Sequence, residues 1–168
     1  MTLTMYQASA PRFMRMLNNL SAILDKAERH CAQRKIDPLL LTGARLTPDM
    51  LPFTRQVGIA CDTAKGAVAR LAGVENPKHE DTAQTFPELK ARIAKTLAFI
   101  TGVEAAQIDG SEDKDVTLKL AGREVSFTGL DYLFGFAQPN FYFHVATAYA
   151  ILRHNGVELG KSDYLGAA

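Results

Sequence analysis

Four long stretches of this chain repeat apolar side chains at three- and four-residue steps, and such a chain buries its faces most simply as a bundle of helices. In the first stretch, Phe13, Met16, Leu17, Leu20, Ile23, Leu24, Ala27 and Cys31 line one face of a helix predicted over residues 5–34. Pro11 starts its regular part or kinks it near the beginning. In the second, Met50, Phe53, Val57, Ala60, Ala64, Ala67 and Leu71 do the same over 48–72. Thr47-Pro48 supplies an N-cap and an N1 proline there, and Gly73 a stop. The alanines of that stripe permit close helix approach. In the third, Thr85 caps a run through Phe86, Leu89, Ile93, Leu97 and Ile100, giving a helix over 86–101 that ends at Gly102. The fourth covers 129–155. It opens on Thr128 with Asp131 three residues later, a capping box with the shorter acid, and closes before Gly156. Asp37-Pro38 predicts one further helical turn over 38–41.

Ahead of the fourth helix the period changes from helical to alternating. Val116, Leu118 and Leu120 alternate with Thr117 and Lys119, and Val125 and Phe127 with Glu124, Ser126 and Thr128. Around Ala121-Gly122-Arg123 this reads as a small β-hairpin over 116–128, too small to stand alone and so packed on the bundle. Residues 74–84 and 103–115 read as polar connections, and the tail VELGKSDYLGAA as a surface segment. The expected fold is therefore all-α: a four-helix bundle with a small hairpin before the last long helix, one domain over residues 1–168.

Charge and composition narrow the function classes. A formal net charge of +1, with acids and bases mixed along the chain, does not make the basic face of a nucleic-acid binder. No run approaches the roughly 18 apolar residues of a membrane span, and the first residues lack the pattern of a signal peptide. The expected address is the cytoplasm. Cys31 and Cys61 lie in apolar-periodic stretches and read as buried, reduced thiols. His30 and His154 lie near helix C-termini, where a protonated imidazole suits the helix dipole, and His79 falls in a polar loop. No nucleophile elbow, phosphate loop, dinucleotide fingerprint or C-x-x-C motif is present.

The fourth helix carries the main functional signal. Its stripe reads Leu133, Phe136, Asn140, His144, Thr147, Ile151, so two polar side chains interrupt an apolar row. Asn140 and His144 are neighbours, about 40° apart around the helix. Pro139 beside them cannot donate its amide, which takes the helical partner from the carbonyl of Gly135 and predicts a kink. A polar pair and a kink inside a bundle mark a place where ligand sites are commonly built. A histidine bonded to a neighbouring amide can equally serve the core alone.

The helix order, the hairpin and the stretches RLTPDMLPFTRQV, FYFHVATAYAILRHNGV and LGKSDYLG resemble the DinB-like (YfiT-like) helical bundles. The likeness is closest to their uncharacterised branch, a domain-of-unknown-function family of bacterial and fungal proteins, and covers nearly the whole chain. The resemblance implies the fold, a homodimer, and descent from candidate metalloenzymes that carry one histidine early in helix two and an H-x-x-x-H pair in helix four. Aligned on Gly156, those positions hold Gln56, Asn140 and His144. Carboxamides are poor ligands for zinc or nickel, so no metal cofactor is expected; if any were held, His144 would hold it. Tyr142, Tyr149 and Asp62 are possible neighbours of this row, and Lys161, Asp163 and Tyr164 of the tail could close over a pocket mouth or form a solvated end. Three functions follow: a small-molecule-binding module with a degenerate Gln/Asn/His version of the metal site; an enzyme, hydrolase or transferase, that depends on a metal or on His144 as general base; or a structural module with a satisfied polar core. The sequence leaves open whether the protein is an enzyme.

Overall fold

The helix faces read from the sequence meet around one core in the computed structural model, which describes residues 3–120 and 122–166. In chain order, α1 (Met5–Ala8), α2 (Ala10–Arg34), α3 (Pro38–Thr42), α4 (Phe53–Ala72), α5 (Phe86–Thr101) and α6 (Ala105–Ile108) precede the hairpin of β1 (Val116–Leu120) and β2 (Arg123–Phe127). A last helical stretch begins with α7 (Gly129–Asp131), widens into a π-helical turn (Tyr132–Ala137), continues as α8 (Gln138–His154), and is followed by α9 (Lys161–Leu165). Around the bundle, α2 packs on α5 and α8, and α4 packs on the same two helices from the opposite corner. The diagonal approach of α2 and α4 is closed by the fully buried alanines 60, 64 and 67 on α4.

Local chemistry explains where the elements depart from the predicted boundaries. The helix predicted over 5–34 is broken at Ser9, whose φ of −116° and ψ of −83° leave the helical region one residue before the N-terminal proline turn of α2. The Ser9 hydroxyl donates to the Met5 carbonyl and ties the break together. Lys35 closes α2 in the left-handed conformation, with the Ile36 amide reaching back to the Cys31 carbonyl. The second long helix starts at Phe53, not Pro48. Pro52 disfavours a helical Leu51, so Pro48 lies in a turn and Pro52 itself is the N-cap. The third helix has the predicted bounds, closed at its start by the Thr85–Glu88 capping box. The polar connection after it contains α6, which the residue pattern does not announce. The short turn predicted over 38–41 extends to Thr42 as α3, with Asp37 as its N-cap.

The hairpin pairs Val116 with Phe127 and Lys119 with Glu124 in antiparallel register. Ala121 of its turn lies outside the described residues, as do the last two residues of the tail. Val116 and Leu118 are buried under it, so the bundle supplies the stability that a two-stranded ribbon lacks. The chain then passes so close to the preceding loop that a Cβ at Gly129 would stand 1.9 Å from the Ser111 carbonyl oxygen, which leaves glycine as the residue that fits. The kink expected at Pro139 takes the form of the π turn. The Gln138 amide donates to Leu133, five residues back, because a proline that cannot continue the four-residue ladder lets the preceding turn slip by one. The tail folds as α9 against α2, where Lys26 pairs with Asp163 at 2.7 Å and Asn19 donates to the Tyr164 carbonyl. Among the described residues, no helix is long and apolar enough to cross a membrane.

Candidate functional site

The π turn sets which face of α8 meets α4. The buried row of this helix is Leu133, Ala137, Phe141, Val145, Ala148, Ile151 and Leu152, with Thr147 beside it; it keeps Leu133, Thr147 and Ile151 of the stripe drawn from the sequence and replaces Phe136, Asn140 and His144 by Ala137, Phe141 and Val145. Asn140 and His144 therefore stand on the flank of the core, half-buried, along the seam with the antiparallel α4. On the α4 side the partners are Gln56 and Thr63, two turns apart on one face.

Gln56 is buried, 2% exposed, and both ends of its amide are used. Its Nε2 donates to the Leu51 carbonyl at 3.0 Å, and its Oε1 lies 2.7 Å from His144 Nδ1. A carbonyl can only accept, so the Leu51 carbonyl fixes the amide with its NH2 group outward and its oxygen toward the ring. The ring must then donate: His144 carries its proton on Nδ1, and Nε2 keeps a lone pair. No described residue hydrogen-bonds Nε2. Burial holds the His144 pKa below the ordinary histidine value, which keeps the imidazole neutral at pH 7. Asn140 Nδ2 donates to Thr63 Oγ1 at 2.8 Å, leaving its own carbonyl oxygen without a described partner. The row therefore presents accepting atoms on a neutral framework.

The other candidates are elsewhere. Tyr142 lies on the opposite flank of α8, half-buried beside Tyr164, Arg12 and Met16. Tyr149 packs its ring against Tyr164 and donates its hydroxyl to the Leu159 carbonyl at 3.3 Å. Neither is brought to His144. Both lie in the regular part of α8, about 160° and 140° around the helix from His144, so their spacing already turns them away from the α4 seam. Lys161, Asp163 and Tyr164 belong to α9 and its contact with α2. Asp62 faces α5, where its carboxylate takes Arg92 Nη2 at 2.7 Å and Lys65 Nζ at 3.5 Å. Cys31 and Cys61 are free and buried, and burial pushes the Cys61 thiol up to about 12, so it is unreactive as a thiolate. His79 is half-buried with its Nδ1 inaccessible and unpartnered, not solvated as its polar loop suggests.

Sequence reasoning missed Thr63 and two buried cations, Lys65 at 3% and Arg92 at 7% exposure. The signal was present: Arg92 follows Leu89 by three residues within the apolar row of α5, and Lys65 stands four after Cys61 and three before Val68 on α4.

The three positions that the resemblance assigns to metal ligands hold one imidazole and two carboxamides. His144 Nδ1 is committed to Gln56 in direct contact, and Asn140 turns its amide nitrogen to Thr63. Among the described residues no three His, Cys, Asp or Glu side chains converge. This donor set does not fit zinc or nickel, which take three or four imidazole, thiolate or carboxylate ligands.

Residues 5–165 match the family model described as Domain of unknown function (DUF1993). Among solved structures the chain is similar to a DinB family member protein from Shewanella denitrificans, at 43% identity and a TM-score of 0.88, over 97% of this chain and 92% of that one. Among curated proteins, none matches.

Proposed function

The chain belongs to the DUF1993 family and has a DinB-like fold, and from that premise we propose that it is a small-molecule-binding module whose α4–α8 seam is a metal-free remnant of the superfamily's metal site. The observation that carries this reading is the hydrogen bond between Gln56 and His144 Nδ1, from which the ring's tautomer follows. Gln56, itself fixed by Leu51, orients the ring so that an unprotonated Nε2 is left to accept from a ligand O–H or N–H group. Asn140 offers a second acceptor one turn away. Carboxamides in place of imidazoles replace metal coordination by directional hydrogen bonding.

Two measurements test this. In nitrogen-15 spectra the His144 ring should show the Nδ1–H tautomer, and donor-bearing fragments that bind should shift its Nε2 and lose their affinity in His144→Ala. A ring found as the Nε2–H tautomer, or fragments that bind His144→Ala as well as the native protein, would refute the reading. Elemental analysis of protein purified without a metal-affinity tag should find zinc and nickel far below one per chain; stoichiometric metal lost on His144→Ala would replace this reading with a metalloprotein.

The same lone pair favours one alternative, a hydrolase or transferase using His144 as general base, since a neutral imidazole is competent for that role. Turnover lost on His144→Ala with folding retained would select it. The homodimer implied by the resemblance is likewise a proposal. Exposed Leu39, Leu40, Leu51 and Phe143 are large apolar side chains that a second copy could cover, and light scattering at a mass of two chains would support it.

A further inference from the structure

A second feature lies on the other side of the Asn140–Thr63 bond. A groove of about 390 Å³ runs between α4, β1 and the π turn, within the size range of small-molecule sites. Thr63 forms part of its wall, and Phe136, Lys119 and Arg70 form others.

Arg70 is the informative residue. Its side chain folds back along α4 onto the turn at Gly66, where a Cβ would stand 2.4 Å from Nη1. The missing methyl group is what lets the guanidinium lie there. Nη1 donates to the Tyr132 hydroxyl at 3.1 Å, and the guanidinium carbon stands 5.9 Å from the centre of the Tyr132 ring. Tyr132 is itself 2% exposed and stacked on Phe136, with 20° between the ring planes. Residues four apart are neighbours on one helical face, which brings the two rings together. The cation is thus positioned from two sides by neutral groups, and no carboxylate pairs with it among the described residues. A half-buried arginine held in place without a counter-ion has donors left for one.

The rest of the groove agrees in charge. Lys119 stands on β1, exposed, with Glu124 directly across the ladder from it. Asp62 is the acid in the wall, but Arg92 and Lys65 already hold its carboxylate. Phe136 lines the groove half-buried, its ring packed against those of Tyr132 and Phe127.

We propose that this groove binds a small oxyanion, a carboxylate or phosphate ester carried on an aromatic or similarly flat body, with Arg70 and Lys119 receiving the charge and Phe136 the flat body. The site is independent of His144. Titration calorimetry with phenyl phosphate and with benzoate distinguishes the two oxyanions, and saturable binding of either supports the site. Benzamide, the neutral analogue of benzoate, should bind at least tenfold more weakly. Arg70→Gln should weaken the bound anion tenfold or more. Gly66→Ala should do the same with the charge retained, because it evicts the guanidinium from its seat, and circular dichroism should show both variants folded. His144→Ala should leave the affinity unchanged, so failure of the seam reading and failure of this one are separable. No binding of either anion at millimolar concentration overturns the proposal. Equal binding of benzamide, or of inorganic phosphate alone, overturns the charge or the flat body respectively, and binding untouched by Arg70→Gln overturns the site.

Discussion

The two seams of α4 are both polar, and they are polar in opposite ways. Toward α5 the groups are charged and ion-paired. Arg92 gives Nη2 to Asp62 at 2.7 Å, Nη1 to Asp81 at 2.9 Å, and Nη1 again to the Glu80 carbonyl at 2.8 Å. Lys65 holds Asp62 and the Pro77 carbonyl. Together they strap down the connection over residues 74–84, and the buried atoms left over there are Arg92 Nε and His79 Nδ1. Toward α8 the groups are neutral and sparing: Gln56 uses both ends of its amide, while His144 and Asn140 each make one side-chain bond and leave an accepting atom unused. A buried charge must be paired nearly completely or it costs several kcal/mol, so its chemistry is used up by the fold. A neutral half-buried row bears no such requirement, and its spare capacity can go to a ligand.

The contrast can be broken by mutation. The largest effect should come from Arg92→Ala, which removes the cation that three groups of the strap share. A loss of about 3 kcal/mol in urea unfolding is expected, at the low end for broken buried ion pairs because the aspartates are half-exposed. A loss under about 1 kcal/mol would mean the strap is decorative.

Next is the acid limb of stability. The Arg55 guanidinium, with Arg92 behind it, holds the Asp81 carboxyl below the ordinary aspartate range. A depressed folded-state pKa means that this stabilisation is complete above the unfolded value of about 3.9 and is lost as pH falls through the folded one. Thermal unfolding of the native chain should therefore steepen below about pH 4, and Asp81→Asn should flatten that limb. An identical acid limb in the variant would remove Asp81 from the account.

The α8 seam should respond less. Gln56→Leu, which deletes the partner of His144 and exchanges a buried amide for an apolar group, should cost about 1 kcal/mol, and Asn140→Ala less than that. Costs equal to that of Arg92→Ala would make this seam structural after all and weaken the binding proposal.

The smallest effect is the titration of His144. Burial lowers its pKa, so the unfolded chain takes the proton first as pH drops. Stability should be level above about pH 6.5 and decline gently below it, through the folded pKa. His144→Gln should remove that decline, and a ring titrating above the ordinary value by proton NMR would contradict it.

How much was legible follows the same division. Helix faces were readable because apolar periodicity reports burial directly: Phe13 to Cys31 on α2 and Phe86 to Ile100 on α5 fall where the spacing puts them. Starts were less readable. Thr47-Pro48 carries a stronger cap signal than Leu51-Pro52, yet the chain begins α4 at Phe53, since a helix from Pro48 would have to absorb Pro52 in its interior. The role of residues 74–84 was not legible at all, because their order comes from Lys65 and Arg92 on other elements.

What the sequence alone determined is the all-α bundle with its hairpin, through periodicity and caps, both of which act within a few residues. What the tertiary structure decided is the phase of α8. Past the π turn before Pro139 the core row runs through Ala137, Phe141 and Val145, one residue or about 100° from the predicted Phe136, Asn140 and His144, while the predicted Thr147 and Ile151 stay buried. That phase leaves Asn140 and His144 on the flank of the core, with Tyr142 on the opposite one. Pro139 marks where the ladder must give way, but whether it gives as a bend or as a wide turn, and so which residues face the core beyond it, is decided by packing against the other helices.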